Sequence, residues 1–344
     1  MSELTVAEAI NQALFEEMRR DERVLMIGED IVIDGWGGCT KGLFDAFGPR
    51  RVINTAISEN AIIGAAVGAA LVGMRPVAEI MFSDWLTCGM DQAVNFAAML
   101  TYSYGGQVSI PLVIRTTAGH HGGAQHSKSM EAWMTHVPGL KVLMPSCAGD
   151  AKGLMKSAIR DNNPVVIFEN RHTYTIKQEV PDEEYLVPIG KADVKRKGRD
   201  LTIIATGFMV QHALDAAKVL MRESIDVEIV DPRTLSPLDM PALVRSARKT
   251  GRVLIVHDAW RNGGIGAEIA ASLYEELHGE LRRPIQRLAH LDVPHPFSPA
   301  LEEVVRPNCD KIIQAVRDMM VNLESNRREA FALEEEEGVG RTLS

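Results

Sequence analysis

Short apolar runs alternate with helix-period stretches along most of the chain, and that alternation leaves few folds open. Residues 24–27, 52–57, 76–80, 112–115, 140–144 and 165–168 read as strands. Helical stretches separate them, the clearest at 148–160, and a Thr5-x-x-Glu8 capping box opens another that runs to about Arg19. Strands spaced by helices predict a parallel sheet covered on both faces. Between Glu179 and Asp200 the composition turns charged and the period weakens. A second alternation follows, with strands at 201–205, 227–230 and 253–257 and helices at 210–222 and 266–277. The expected fold class is α/β, in two alternating α/β domains: residues 1–180, a linker at 181–200, and residues 201–322. Residues 323–344 contain four consecutive glutamates at 334–337 and read as an acidic, flexible, solvated tail.

Composition narrows the function classes. Of 344 residues, 24% are charged and the net charge is -9, so no electrostatic footprint for a nucleic-acid partner is expected. The four cysteines form no C-x-x-C pair, and reduced thiols in a cytoplasmic protein are the expectation. The longest apolar stretch, residues 61–74, is shorter than the roughly 20 residues a bilayer requires, so no membrane partner is expected. Gly64, Gly68 and Gly73 lie in that stretch, where small residues let another backbone approach, between subunits for example.

Two residues stand out chemically. Glu59 follows a strand and opens a Gly/Ala-rich helix, where open α/β sheets bind ligands; a carboxylate that only meets the helix dipole is the alternative. His126 lies in a glycine-containing loop, as a proton shuttle or as a surface histidine. His120, His121 and His136 are near it in sequence, without the spacing of a zinc site. Gly263-Gly264-x-Gly266 reads as a tight turn, because neither a dinucleotide fingerprint nor a P-loop accompanies it.

Longer strings carry a family resemblance. Ile57-Ser58-Glu59, Arg75-Pro76-Val77-Ala78-Glu79-Ile80-Met81-Phe82, Asp91-Gln92, Gln125-His126-Ser127, His136-Val137-Pro138-Gly139-Leu140-Lys141-Val142 and Asp161-Asn162-Asn163-Pro164 occur in order. Asp231-Pro232-Arg233-Thr234-Leu235 and Gly263-Gly264-x-Gly266-Ala267-Glu268 follow. Over roughly residues 3 to 320 the chain resembles the beta subunit of thiamin-diphosphate-dependent 2-oxo acid dehydrogenase complexes. Glu79-Ile80-Met81-Phe82 and Gly105-Gly106-Gln107 are similar to the acetoin dehydrogenase branch, whereas branched-chain members more often carry Gln and Tyr where Met81 and Trp85 stand.

The resemblance implies a thiamin-pyrimidine-binding domain followed by a transketolase C-terminal-like domain. It implies that Ile57, Glu59, Met81 and Trp85 contact thiamin diphosphate and that Glu59 bonds the pyrimidine ring nitrogen. It implies that His126 assists acyl transfer to a lipoyl arm. It further implies a potassium ion near the active-site loop, held by Leu112, Ala158, Asp161 and Asn163; an ordinary helix-ending turn there is the alternative. The family's G-D-G motif for diphosphate and magnesium is absent, the nearest string being Gly149-Asp150-Ala151. An alpha subunit, in a heterotetramer of two alpha and two beta chains, is therefore expected to hold the magnesium, and a lipoyl acyltransferase core is the expected further partner. The implied reaction is the oxidative cleavage of acetoin or of a 2-oxo acid such as pyruvate. A transketolase-like half-protein without a lipoyl partner, and a non-catalytic assembly subunit, are the competing readings.

Overall fold

The computed structural model describes residues 1–119 and 122–321. The His120-His121 pair and the expected acidic tail lie outside the described residues. Seven strands form the larger sheet, in the order Thr234–Ser236, Lys141–Leu143, Val165–Asn170, Val113–Ala118, Arg75–Phe82, Val24–Gly28, Val52–Asn54. All neighbours are parallel except the Thr234–Ser236 edge. The strands Val113–Ala118 and Val165–Asn170 are buried at every residue. A sheet with helices on both faces offers no side to water, so its strands read as continuous apolar runs rather than alternating ones.

Each face has its own core. Val24, Met26, Val77, Val113 and Val165 pack with the helices Val6–Arg20 and Ala148–Arg160. Ile27, Ala78, Ile80, Ile114 and Val166 pack with the helix Glu59–Leu71. Val6–Arg20 begins at the expected capping box, with the Glu8 amide donating to Thr5 Oγ1 at 3.2 Å and the Thr5 amide donating to Glu8 Oε2 at 2.8 Å. A cap of this kind contributes about 1 kcal/mol.

The smaller sheet runs Gln286–His290, Val253–Trp260, Leu201–Ala205, Val227–Asp231, Asp193–Arg196. Only the last strand is antiparallel. The two alternating α/β units of the sequence are thus present, but two details differ from expectation. Residues 193–196, inside the expected 181–200 linker, form an edge strand of the smaller sheet; their charged side chains suit a half-solvated edge and mask the strand in the sequence. Residues 234–236, from the second domain, extend the first domain's sheet beside Lys141–Leu143. One apolar core accordingly runs from Ile80 and Ile114 through Val142 and Leu235 to Leu243 and Ile255.

Gly73 is not in the helix with Gly64 and Gly68, because that helix ends at Leu71 and Gly73 adopts φ +93°. A Cβ on Gly64 would meet the Gln92 side chain at 3.2 Å, whereas Gly68 faces open space. The turn at Gly263–Gly264 is tight for a packing reason: Cβ atoms on Gly264 and Gly266 would come within 2.5 and 2.6 Å of the His257 ring. Among the described residues no helix is long and apolar enough to cross a membrane.

Candidate active site

The strand Val24–Gly28 lies between Val52–Asn54 on one side and Arg75–Phe82 on the other. The connections to those two strands run over opposite faces, since Leu43 joins one core and Ile62 the other. Where connections part in this way, a crevice opens at the carboxyl ends of the strands. There the structure has a cleft of about 360 Å3, lined by Glu29, Ile57, Glu59, Met81, Phe82, Trp85, Cys88 and His126 among others.

The side chains arrive from the ends of several strands. Glu29 follows Val24–Gly28, and Ile57 and Glu59 follow Val52–Asn54. Met81 and Phe82 end Arg75–Phe82, and Trp85 lies in the 3-10 segment Ser83–Gly89. Glu59 is the first residue of its helix and half-buried. Both sequence readings therefore fit its backbone position, but a helix-end carboxylate needs no cleft to face. Ile57 is 75% exposed and Trp85 38%, unusual for large apolar groups beside a site.

The His126 loop is held at several points. The His126 ring lies 4.6 Å from Phe82 and 6.1 Å from Trp85, centroid to centroid. Arg171 Nη2 donates to the His126 carbonyl at 2.7 Å, and its guanidinium carbon sits 5.0 Å from the Phe82 ring centre. Lys128 pairs with Asp84 at 2.8 Å, and Ser83 Oγ donates to the Lys128 carbonyl at 2.6 Å. His136 lies elsewhere, in a groove with Trp133 and Leu235.

Two contributors were not identified from sequence. Burial, with the negative charges of Asp30 and Glu59, pushes Glu29 above the usual carboxylate range; its only local signal is a carboxylate directly after a strand. Burial lowers Arg171 to about 10, and nothing near it in the chain points to His126. Beneath the cleft, Arg115 Nε and Nη2 donate to both oxygens of Glu169 at 2.9 and 2.7 Å, and Nη1 donates to Glu79. Tyr174 donates to Glu169 at 2.5 Å. Burial pushes Glu79 upward against the pull of Arg115.

The four potassium candidates gather in one corner, but not near the active-site loop. Leu112 precedes Val113–Ala118, and Asp161 and Asn163 precede Val165–Asn170. They stand at the amino ends of strands whose carboxyl ends face the cleft, about 20 Å away along a six-residue strand. The Ala158 carbonyl accepts from the Asp161 amide at 3.2 Å, and the Leu112 carbonyl accepts from Val165 at 2.9 Å. Asn163 donates twice to Asp161 Oδ1 at 2.9 Å, and Lys141 pairs with Asp161 Oδ2 at 2.5 Å. Hard oxygens suit an alkali cation, but Lys141 already balances the carboxylate. Asp150 of Gly149-Asp150-Ala151 is buried and paired with Lys195 and Arg233, so it is not free for magnesium. Among the described residues no cluster of three or more His, Cys, Asp or Glu side chains could hold a metal ion.

The family described as "Transketolase, pyrimidine binding domain" matches residues 2–177, and "Transketolase, C-terminal domain" matches residues 190–312. The chain is 42% identical over 332 residues to the beta subunit of acetoin:2,6-dichlorophenolindophenol oxidoreductase of Bacillus subtilis, covering 92% of this chain and 97% of that one. It is 44% identical over 324 residues to the 2-oxoisovalerate dehydrogenase subunit beta of the same organism, covering 93% and 99%. Among solved structures, it is similar to a split-gene transketolase in an inactive beta4 tetramer, with TM-score 0.76, 27% identity, and coverage of 92% and 98%.

Proposed function

The chain belongs to the family of beta subunits of thiamin-diphosphate-dependent acetoin and 2-oxo acid dehydrogenases, and from that premise we propose that it cleaves acetoin or a short 2-oxo acid and passes the acyl group to a lipoyl arm. It does so in a heterotetramer of two alpha and two beta chains attached to a lipoyl acyltransferase core. The observation that carries this reading is the convergence of Glu59, Met81, Trp85 and His126 on one cleft at the carboxyl ends of a parallel sheet.

The cleft fits one half of the cofactor. Met81, Phe82 and Trp85 supply an apolar wall for a flat ring, and Glu59 supplies a carboxylate at its edge. When bound, thiamin diphosphate contributes the acidic ring carbon that attacks the substrate carbonyl and a sink for the electrons released. Glu59 would accept a hydrogen bond from the pyrimidine nitrogen and set its proton balance. Ile57 and Trp85, exposed at the rim, would be covered by the alpha chain, which would also hold diphosphate and magnesium. His126 would deliver a proton to the sulfur released as the lipoyl disulfide opens. Leu112, Ala158, Asp161 and Asn163 would hold potassium as a structural tie, remote from the chemistry.

Steady-state assays of the alpha–beta complex with acetoin, pyruvate and branched 2-oxo acids test the substrate class. Paired assays on His126→Ala test the transfer step: lipoyl acylation should be lost while dye reduction survives. Ketol transfer between sugars with no need for a lipoyl domain would reject the reading. So would turnover by this chain alone.

A further inference from the structure

Arg171 opens the turn Arg171–Thr173 directly after the strand Val165–Asn170. Its backbone is tied down locally. The Asn170 side chain accepts from the His172 amide at 3.1 Å, and Thr173 Oγ1 donates to the Asn170 carbonyl at 2.6 Å. The strand is buried at every residue and pairs with neighbours on both sides. His126, by contrast, lies outside any helix or strand, and its amide donates to the Gly123 carbonyl at a long 3.4 Å. Arg171 Nη2, donating to the His126 carbonyl at 2.7 Å, ties that segment to a fixed strand end.

The guanidinium also meets the aromatic wall of the cleft. Its central carbon lies 5.0 Å from the Phe82 ring centre and 5.9 Å from that of Trp36. Those two rings meet edge to face at 5.1 Å, and the His126 ring lies 4.6 Å from Phe82. Arg171 therefore acts on His126 twice, at its backbone directly and at its imidazole through Phe82. A planar guanidinium can lie against a ring and donate in its own plane at once; an ammonium cannot.

This placement is costly. Arg171 is 8% exposed, and among the described residues no carboxylate forms an ion pair with it; Asp84 and Asp258 act from further away. Its Nη1 is buried without a hydrogen-bond partner among them. An unpaired buried cation weakens a fold, and an apolar side chain fills such a space without that cost. Stability therefore does not account for Arg171. A second pocket, of about 860 Å3 and lined by Trp36, Lys41 and Arg171 among others, reaches it without sharing a residue with the cleft. That pocket gives a small cation a way to the guanidinium position.

We propose that Arg171 is a positioning residue for His126: its guanidinium, held on a fixed strand end, fixes the His126 peptide and the Phe82 ring and so aims the imidazole for acyl transfer. The consequence for acyl transfer rests on the role proposed above for His126; the consequence for residues 122–128 does not. Arg171→Met removes the charge and the hydrogen bond but keeps most of the bulk. The variant should unfold at the wild-type temperature or above it. In the alpha–beta complex, amide hydrogen exchange of peptides covering residues 122–128 should quicken about fivefold or more. The ratio of lipoyl acylation to dye reduction should fall about tenfold to a hundredfold, through kcat rather than KM for the lipoyl domain, because a misaimed group loses rate and not affinity. In Arg171→Ala, added methylguanidinium should enter by the second pocket and restore the ratio, whereas methylammonium should not. Unchanged exchange in Arg171→Met, or equal loss of dye reduction and acylation, would overturn the proposal. So would a loss that only follows unfolding, or rescue by methylammonium as good as by methylguanidinium. A wrong role for His126 shows differently: His126→Ala would keep acyl transfer while Arg171→Met still loosened residues 122–128.

Discussion

At the amino ends of its strands the larger sheet closes on itself. Arg75 donates to the carbonyls of Ile159, Arg160 and Asp161 at 2.8, 2.7 and 2.9 Å, and to Asn162 Oδ1 at 3.1 Å. Those carbonyls end the helix Ala148–Arg160, which the helix itself cannot satisfy. At the carboxyl ends the same strands stop at Glu29, Glu59, Trp85 and the His126 loop, around a cleft with exposed apolar groups on its rim. The closed end spends Arg75 on internal partners, whereas the open end leaves Glu29, Glu59 and His126 lining a cleft above its own buried pairs. A parallel sheet makes this division possible, because all its strands deliver their carboxyl ends to one edge.

The division predicts that substitutions at the two ends fail in opposite ways. Glu59→Gln, at the open end, should lower activity of the reconstituted complex by about 100- to 10,000-fold while assembly and thermal unfolding stay as in wild type. Unchanged exchange at the thiazolium carbon, measured alongside, would reduce Glu59 to a helix-end carboxylate. At the closed end, Arg75→Ala should destabilise the chain by about 2–4 kcal/mol, because it strands several carbonyls. Activity per folded complex should then be unchanged, and a comparable loss of turnover would break the contrast.

A smaller effect comes from Glu131, just beyond the His126 loop. Its carboxyl is fully buried, neither oxygen meets a hydrogen-bond donor from another of the described residues, and burial, opposed by its own backbone amide, pushes its pKa to about 7. The unfolded chain releases that proton nearer the ordinary carboxylate value. Stability should therefore decline as pH rises between about 4.5 and about 7, by at most about 3 kcal/mol. Glu131→Gln should flatten that slope in denaturant titrations and gain on wild type above pH 7; a parallel pH profile would show that the carboxyl is solvated. The smallest effect is expected from potassium. Replacing it with a bulky organic cation should change stability by no more than about 1 kcal/mol, because Lys141 already faces Asp161. A larger loss would show that the closed end is not complete without the ion.

Legibility in the sequence followed the range of the interaction. The helix at 148–160 was read to the residue, since its period and its ends are local. The strand at 52–57 was read too long: it stops at Asn54, and residues 55–58 turn out to carry Ile57 to the rim. Glu59 was readable because a strand-to-helix turn is a local feature. His126 stands out locally as a histidine in a glycine-containing loop, but nothing local points to its neighbours Phe82 and Arg171, both more than forty residues away in the chain.

What the sequence determined by itself is the kind of structure: strands alternating with helices, a parallel sheet buried on both faces, and a carboxylate where such sheets bind ligands. Apolar period, capping and turn chemistry act over a few residues and are written in adjacent letters. Only the tertiary structure decided that residues 234–236 finish the first domain's sheet, that Glu29 lies near enough to Glu59 for its charge to be felt, and that the potassium candidates stand at the far end from the cleft. Only it brought Phe297 against Gly123. Each of these depends on strand order and on the packing of distant segments, and contacts made at long range leave no pattern in the local sequence.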